Sequence, residues 1–417
     1  MKKWSRLLKK ITSVFIVLIM VVSLSACKSN QKPKDETQKK LNIFLDTTDD
    51  YSSQVIKYLI DDYKKNNPDI EIKLNDVLGE KSDIMETINL GNEIDVIFTD
   101  RNSLIELSKK GVLSDLKGAY SDNAIGDRYY DIMGSYGRIG DKYYGIGVVP
   151  YSIELLYNKA NLEKLNILSP KNSEEWLNVL KQINDKQIKT PVVLTEDIDA
   201  NGYLFSLLGS KAINIHELEE SYDSGEEAYR KLINVQGIFD EFNLLKKNNI
   251  ITKNCFELGN EQTITNFNNS DSPLLVCISY FNSKLNGSNI GLIEDYANKS
   301  NYFTNVPIII NSLLSVPVNA KNADNATNFI KYIYSDEVQA RIVQKEIISG
   351  NKIANNKISG IGKIMVQHMY KANDNSMILL YNLPDIIKNN VLKALKSILD
   401  GGYNSKEWED IIKESYK

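Results

Sequence analysis

Apolar and polar positions alternate along this chain with two different periods. Short apolar runs at 41–45 and 94–98 have the length and composition of strands that are buried on both faces. Residues 70–75 alternate apolar and polar side chains, which is the period of a half-buried strand. Between these runs, apolar residues recur at helical spacing, namely Val55, Ile56, Leu59, Ile60 and Tyr63. Strands and helices that alternate in this way predict an α/β fold.

Local signals indicate where a helix begins and where the chain bends. Ser52 or Ser53 is the expected N-cap of the helix that follows the first strand. The run 143–151 reads as extended, and its glycines, Gly145 and Gly147, allow a hinge at this point.

The first 27 residues have the layout of a secretory signal. Five basic residues precede an uncharged stretch at 11–26, and small residues lead to Cys27. The uncharged stretch is about 16 residues long, against the ~20 that a spanning helix needs. This favours a cleaved signal at 1–26 over a plain transmembrane anchor. Residues 27–40 lack a large apolar side chain and predict a flexible tether.

Length and charge narrow the class of protein. The 417 residues carry a formal net charge of −4, and the chain after the signal carries −9, because the signal holds five basic residues and no acidic one. Such an acidic chain is a poor general binder of nucleic acid or anionic lipid. About 390 residues exceed the size at which a single core usually stops growing, so we expect two lobes.

Cys255 and Cys277 are the two cysteines downstream of Cys27. A disulfide between them is compatible with an extracytoplasmic location. Cys277 lies within the apolar run 274–278, however, which favours a small buried thiol. Both possibilities stay open at this point.

Catalytic and metal-binding signatures are missing from the sequence. Its two histidines, His216 and His368, stand among ordinary residues and are interpreted as surface or structural side chains. No paired-cysteine zinc spacing, phosphate-binding loop or nucleophile elbow occurs. We therefore expect a protein that is not an enzyme and that holds no metal and no cofactor. Carboxylates are plentiful, so a glycosidase pair stays open.

Several segments, in order along the chain, resemble the extracellular solute-binding lipoproteins of ABC importers, in the branch whose best-known members bind sugars. Residues 91–97 are similar to the family's G-x-x-P-D-V stretch, with Ile94 in place of the usual proline. Residues 143–150 resemble its crossover, residues 156–159 its leucine-tyrosine-asparagine-lysine stretch, and residues 315–337 its late serine-aspartate-glutamate region.

The tetrapeptide at 24–27 resembles the lipobox of bacterial lipoproteins, in which the cysteine receives lipid, palmitate included, and becomes the first residue of the mature chain. Two or more acyl chains give a stable anchor where one alone is marginal. The resemblance implies a protein held at Cys27 on the extracytoplasmic face of the cell membrane. We expect a monomer that has no nucleic-acid partner.

The family resemblance also implies a two-lobed, periplasmic-binding-protein-like α/β fold with a hinge and an interlobe cleft. We expect lobe 1 at 41–148 and 282–338, and lobe 2 at 149–281 and 339–417. The implied function is to capture a solute in the cleft, a carbohydrate first of all, and to deliver it to an ABC permease. A ligand-sensing subunit for a membrane receptor and an envelope hydrolase built on the same lobes stay open as alternatives.

Ligands of open α/β sheets bind outside the carboxyl ends of the strands. This rule, with the crossover, selects a set of candidate ligand contacts: Asp46, Thr47, Thr99, Asp100, Arg101, Tyr151, Ser152, Tyr280 and Phe281. Charged side chains suit sugar hydroxyls, and an aromatic face suits the apolar side of a pyranose ring. Because the chain has 23 tyrosines and 3 tryptophans, we expect tyrosine as the stacking residue. Acidic residues in two of these loops leave a cationic ligand, such as a polyamine-like solute, open.

Overall fold

The computed structural model describes residues 39–47, 49–76, 84–89, 93–210, 212–269, 271–285, 287–296 and 305–417. The predicted signal, Cys27 and most of the predicted tether lie outside these residues. Residues Lys40–Lys417 form one compact unit. Within the described ranges, no helix has the length and apolar character needed to cross a membrane.

The elements of the described residues are named in chain order. The strands are β1 (Lys39–Asp46), β2 (Ile70–Asp76), β3 (Val96–Thr99), β4 (Arg138–Ile139), β5 (Lys142–Tyr143), β6 (Ile146–Gly147), β7 (Tyr151–Asn158), β8 (Thr190–Val193), β9 (Phe256–Leu258), β10 (Leu274–Ile278), β11 (Ile290–Leu292), β12 (Ile308–Ile309) and β13 (Leu313–Ser315). The α-helices are α1 (Asp50–Asn66), α2 (Ile84–Asn89), α3 (Arg101–Lys109), α4 (Lys117–Asp122), α5 (Ile125–Arg128), α6 (Asp131–Ser135), α7 (Lys159–Lys164), α8 (Ser173–Asn184), α9 (Ala200–Gly209), α10 (Ile215–Ser221), α11 (Glu226–Arg230), α12 (Asn234–Lys247), α13 (Glu261–Asn266), α14 (Ala323–Ile333), α15 (Asp336–Gln344), α16 (Ile361–Lys371), α17 (Asp385–Leu399) and α18 (Glu407–Ser415). Short 3₁₀ helices occur at Phe267–Asn269, Ser279–Lys284, Ala354–Lys357, Asp374–Ser376 and Leu379–Asn382.

The first sheet has the strand order β2-β1-β3-β13-β6. Strands β1 and β3 are parallel, with Ile43 opposite Val96 and Asp46 opposite Thr99. Strand β13 runs antiparallel to both β3 and β6. The carboxyl ends of β1 and β3 therefore reach the same edge of this sheet, and the residues that follow them emerge there.

The second sheet has the strand order β11-β7-β10-β8-β9, and β12 also pairs with β7. Strands β8 and β10 are parallel, and β7 is antiparallel to β10. The residues that follow β8 and β10 therefore emerge at one edge of this sheet as well.

Two chain segments connect the sheets, one between β6 and β7 and the other between β12 and β13. The backbone N–H of Val148 donates to the carbonyl oxygen of Ser312, at 3.0 Å, and that of Val149 donates to the Ser312 hydroxyl, at 3.1 Å. The two connections therefore lie side by side.

Strand pairing favours two lobe boundaries that lie later in the chain than the sequence-based expectation. Strands β11 and β12 pair with β7 in the second sheet, although 282–338 is expected in lobe 1. The reason is that the chain turns at Ser279–Lys284 and returns to the same sheet before it crosses. Beyond 339, the N–H of Tyr130 still donates to the carbonyl of Gly350, at 3.1 Å. We propose these lobe boundaries: 40–148 with 311–357, and 149–310 with 358–417.

Helix α1 buries the predicted apolar stripe, but it begins before the predicted cap. The five stripe residues, from Val55 to Tyr63, are all buried. The N-cap is Asp49, whose Oδ1 accepts a hydrogen bond from the N–H of Ser52 at 2.7 Å. The expectation of Ser52 or Ser53 as the cap is therefore wrong, because an aspartate carboxylate upstream already accepts that N–H.

Cys255 and Cys277 are both buried and unpaired. Burial raises the pKa of the Cys277 thiol well above its ordinary value. This confirms the interpretation of Cys277 as a small buried thiol.

His368 on α16 forms a buried ion pair with Glu154 on β7, with 2.9 Å between Nδ1 and Oε2. Burial lowers the pKa of His368, but the Glu154 carboxylate more than offsets this, so that the pKa is raised overall. The Ser152 hydroxyl donates to the same carboxylate. This network holds α16 against the second sheet, which gives His368 the structural role expected for it.

Candidate functional site

The carboxyl ends of the strands in the two sheets lead to one group of acidic side chains. Asp46 ends β1, Asp49 caps α1, Asp100 caps α3, and Asp197 follows β8. We call these four residues the acidic cluster. Asn311, in the connection between the sheets, donates from Nδ2 to Oδ1 of Asp197 at 3.2 Å. The cluster therefore combines residues from both sheets.

Burial and mutual repulsion disfavour the charged form of these carboxylates. Burial, with a contribution from the charge of Asp100, raises the pKa of Asp46 to about 7. Burial, with a contribution from Asp197, likewise raises the pKa of Asp49 to about 7. Burial also raises the pKa of Asp100, and Lys388 offsets this in part. A group that donates hydrogen bonds or carries positive charge would stabilise the ionised cluster.

Several polar atoms at this site are buried and have no hydrogen-bond partner among the described residues. They are Oδ2 of Asp49, Oδ1 of Asn311, the hydroxyl of Tyr151 and the hydroxyl of Thr99. Buried polar groups in native proteins are nearly always paired, so unpaired ones mark a place where a bound molecule fits. The predicted residue Thr47 differs, because its hydroxyl donates to the carbonyl of Asn311 at 2.7 Å.

Aromatic rings from both sheets meet next to the acidic cluster. The rings of Tyr51 on α1 and Tyr280 after β10 have centroids 4.7 Å apart, and those of Tyr280 and Tyr151 are 5.8 Å apart, edge to face. We call Tyr51, Tyr151 and Tyr280 the tyrosine cluster. Tyr280 is partly exposed, whereas Tyr151 and Phe281 are fully buried. Phe281 packs edge-on against Tyr51 and acts as support behind the cluster.

Arg101 has protein partners at all three of its nitrogen atoms. Nε donates to Oδ1 of Asn382 at 2.6 Å, one terminal nitrogen donates to the carbonyl of Tyr136 at 2.5 Å, and the other pairs with Glu219. The side chain is fully buried. These contacts join α3 to α10 and to Leu379–Asn382, which favours a role in holding the lobes together over the predicted ligand contact.

An open pocket of about 860 Å³ lies to one side of this ion pair. Its wall includes Tyr120 and Tyr143, whose rings are stacked with centroids 4.2 Å apart. Arg138 pairs with Asp374 across it at 2.9 Å, and His216 lies 3.2 Å from the same carboxylate. Because these residues come from both lobes, the pocket is a second place that can hold a solute, and an experiment must separate it from the clusters.

The structure brings together Asp46, Thr99, Asp100, Tyr151 and Tyr280 of the predicted set. Ser152 is turned away, because its hydroxyl donates to Glu154 within the second lobe. Sequence reasoning missed four residues of the site: Asp49, Tyr51, Asp197 and Asn311. Asp49 and Tyr51 stand three and five residues after Asp46, at the start of α1, so the same rule extended to the start of that helix would have found them. Asp197 and Asn311 depend on the position of β8 and of the second connection, which no local pattern indicates.

The sequence model of the family described as bacterial extracellular solute-binding protein matches residues 58–357. A curated relative, the multiple sugar-binding protein of Streptococcus mutans, is 25% identical over 210 residues, which are 48% of this chain and 49% of the relative. The match thus spans about half the length of that relative.

Solved structures share the fold over nearly the whole chain. A family 1 extracellular solute-binding protein from Bifidobacterium longum subsp. infantis has a TM-score of 0.66 at 17% identity, over 91% of this chain and 99% of that one. The GacH receptor of Streptomyces glaucescens, solved unliganded and with acarbose, has a TM-score of 0.62 at 17% identity, over 91% and 97%. RafE in complex with raffinose has a TM-score of 0.60 at 16% identity, over 90% and 98%. These matches confirm the predicted two-lobed α/β class.

The contacts of Arg101 predict that its loss destabilises the fold. Arg101→Leu leaves Glu219 buried without its partner, so we expect the free energy of unfolding to fall by about 3–5 kcal/mol. The measurement is urea unfolding followed by circular dichroism. Arg230→Leu is the matched control, because Arg230 pairs with Glu226 on an exposed helix face, where screening by solvent leaves the pair little effect on stability. An equally small decrease in the free energy of unfolding in both variants, together with a changed ligand affinity in Arg101→Leu alone, would contradict this role. It would show that Arg101 contacts the ligand.

Proposed function

The chain belongs to the family of bacterial extracellular solute-binding proteins, and on this basis we propose that it captures a sugar between its two lobes and delivers it to an ABC permease. The protein itself carries out no reaction in this proposal. It binds the solute on the extracytoplasmic side, closes around it, and presents the closed form to the membrane subunits. ATP hydrolysis by a partner drives the transport.

One observation carries the proposal. A tyrosine cluster and an acidic cluster, both built from residues of the two lobes, lie together at the strand ends where ligands of such sheets bind. Tyrosine rings offer an apolar face for a pyranose ring, and carboxylates accept hydrogen bonds from its hydroxyls. The names of the matched proteins and complexes, which refer to multiple sugars, acarbose and raffinose, support a sugar as the solute.

The residues of the site take distinct roles in this proposal. Tyr280 and Tyr51 pack against the sugar ring, and the Tyr151 hydroxyl makes a hydrogen bond with it. Asp46 and Asp100 accept from its hydroxyls. Thr99 lies between them at the end of β3, and Thr47 fixes the connection at Asn311. Closure turns the lobes about the paired segments at 147–151 and 309–313, because only a few residues there need to change their dihedral angles.

The family places the protein outside the cytoplasm. We propose in addition that lipid on Cys27 holds it at the cell membrane and that residues 27–40 give the lobes reach from the surface. The protein acts as a monomer in this proposal, and its partner is the membrane part of an ABC transporter.

The proposed function predicts that a neutral or amino sugar raises the melting temperature, since a ligand that binds only the folded state stabilises it by mass action. A thermal-shift screen of mono- and oligosaccharides, amino sugars, polyamines and amino acids identifies the solute. With that solute, Tyr151→Phe should weaken binding about fivefold, the equivalent of ~1 kcal/mol for one hydrogen bond. The melting temperature of the free protein should change little, because the Tyr151 hydroxyl makes no close hydrogen bond within the described part of the chain.

Tyr143→Ala is the control for this experiment, because Tyr143 stacks on Tyr120 in the separate open pocket. Calorimetry should show its affinity unchanged. Lost affinity in Tyr143→Ala together with normal affinity in Tyr151→Phe would move the site to the open pocket. Recovery of the sugar in hydrolysed form would contradict the proposed function and indicate a hydrolase.

The lipid anchor predicts that Cys27→Ser releases the protein into the medium or leaves it as uncleaved precursor. The reason is that the thiol is the only point at which lipid is proposed to attach. Cell fractionation and metabolic labelling with a fatty acid check this outcome. Cys255→Ser is the matched control, because Cys255 is buried within the fold. Unchanged processing, labelling and membrane association in Cys27→Ser would contradict the anchor.

A further inference from the structure

We propose that the solute carries a protonated primary amine among its hydroxyl groups, and that this amine binds at the acidic cluster of Asp46, Asp49, Asp100 and Asp197. The inference rests on the proposed function and narrows its ligand class from sugars in general to cationic ones. It follows from the balance of charge at the site and from the hydrogen-bonding capacity of the atoms left unpaired there.

Negative charge at the site exceeds the positive charge that the protein supplies. Among the described residues, Lys388 is the cation that interacts with Asp100, and it also lies 5.4 Å from the Tyr381 ring. Arg101 faces the same region but is committed to Glu219. Glu196, next to Asp197 in the chain, adds a further carboxylate and interacts with Asp50. Four buried or half-buried aspartates thus face one lysine.

The tyrosines around the cluster do not supply the missing charge. Burial raises the pKa values of Tyr51, Tyr151, Tyr280 and Tyr381 above the ordinary value, so all four are neutral near pH 7. They can donate or accept hydrogen bonds, but they cannot balance a carboxylate.

The unpaired atoms are a second and independent observation. Oδ2 of Asp49, in the ionised carboxylate, and Oδ1 of Asn311 are hydrogen-bond acceptors. Both residues are fully buried, and neither atom has a partner among the described residues. The Tyr151 hydroxyl, beside Asp49, is unpaired as well. An ammonium group has three donors and no acceptor, so it satisfies such a set without bringing acceptors that would themselves need donors. A sugar hydroxyl also brings one donor, but it adds no positive charge that would offset the carboxylates.

The excess of carboxylates over cations at the site also determines whether protons are released or taken up when the ligand binds. Because burial and repulsion hold the pKa of Asp46 and of Asp49 at about 7, both carboxyls are partly protonated at neutral pH. A bound ammonium group favours the ionised form and lowers these pKa values. Where the free amine is itself protonated, its binding therefore releases protons, and its affinity rises from pH 6 to pH 7. Toward pH 8 the free amine of an amino sugar loses its own proton, so the affinity levels off. A neutral sugar gives no such gain, because it leaves the cluster buried and uncompensated.

The experiment compares glucosamine, N-acetylglucosamine and glucose, as monosaccharides and as β-1,4-linked disaccharides, by calorimetry at pH 6, 7 and 8. Acetylation removes the charge and keeps the sugar ring. We expect the amine to bind about tenfold to a hundredfold more tightly than its acetylated form, the range of a hydrogen bond to a charged group. Measurements in two buffers of different ionisation enthalpy give the number of protons released.

Asp49→Asn should abolish the preference for the amine. Asparagine also caps helices well, so the start of α1 is retained and the variant should fold. Asp61→Asn is the matched control, because Asp61 lies exposed on the same helix. Its preference for the amine should equal that of the wild-type protein.

The outcomes separate this inference from the proposed function. Equal or tighter binding of glucose or N-acetylglucosamine, with no proton release, overturns the amine and leaves sugar capture standing. Binding of spermidine without any sugar supports the amine and overturns the sugar. Binding of none of these sugars or amines, while a different class of solute raises the melting temperature, overturns both. An unchanged amine preference in Asp49→Asn would also overturn the assignment to the acidic cluster.

Discussion

Two neighbouring chain connections, held together by hydrogen bonds to Ser312, determine how the rest of the molecule is arranged. The N–H groups of Val148 and Val149 donate to the carbonyl and hydroxyl of that serine. Each sheet directs the carboxyl ends of its parallel strands to one edge, and the connections run between the sheets at 147–151 and 309–313. The residues that follow the strands are therefore close to Asn311 and to Tyr151, at the ends of the two connections. The fold thus brings loops that are distant in sequence to a common site.

That arrangement places charge where water is largely excluded, and this is costly for an unliganded protein. Arg101 and Glu219 show one solution, in which opposite charges from the two lobes are paired and fully bonded. The acidic cluster shows the opposite case, since its carboxylates repel one another. Buried polar atoms near it also lack hydrogen-bond partners among the described residues. Sites that bind ligands are often less stable than a packed core would be, because the groups that meet the ligand are not optimised for one another. The contrast separates the part of the interface that holds the lobes from the part that receives a solute.

The α/β class and the family resemblance followed from local patterns and are confirmed, because strand period, helix stripes and short motifs are set by neighbouring residues. The strand-end rule selected Asp46 and Asp100 for the same reason. Arg101 stands beside them in the sequence, but its environment is determined by Glu219, which is 118 residues away, so no local pattern reveals its burial. Asp49 was hidden by two serines that are plausible caps for the same helix. The boundary between the lobes near 281 depended on whether the chain returns to its own sheet, which is a question of strand pairing and not of composition.

The central claim is that the two lobes close around a solute held between the ends of their sheets. Small-angle X-ray scattering on the protein with and without a saturating concentration of its identified solute tests this most directly. The account predicts a smaller radius of gyration for the liganded protein, since hinge closure about the paired connections brings the lobes together. An identical radius in the two states, at a concentration where calorimetry shows full binding, would contradict it.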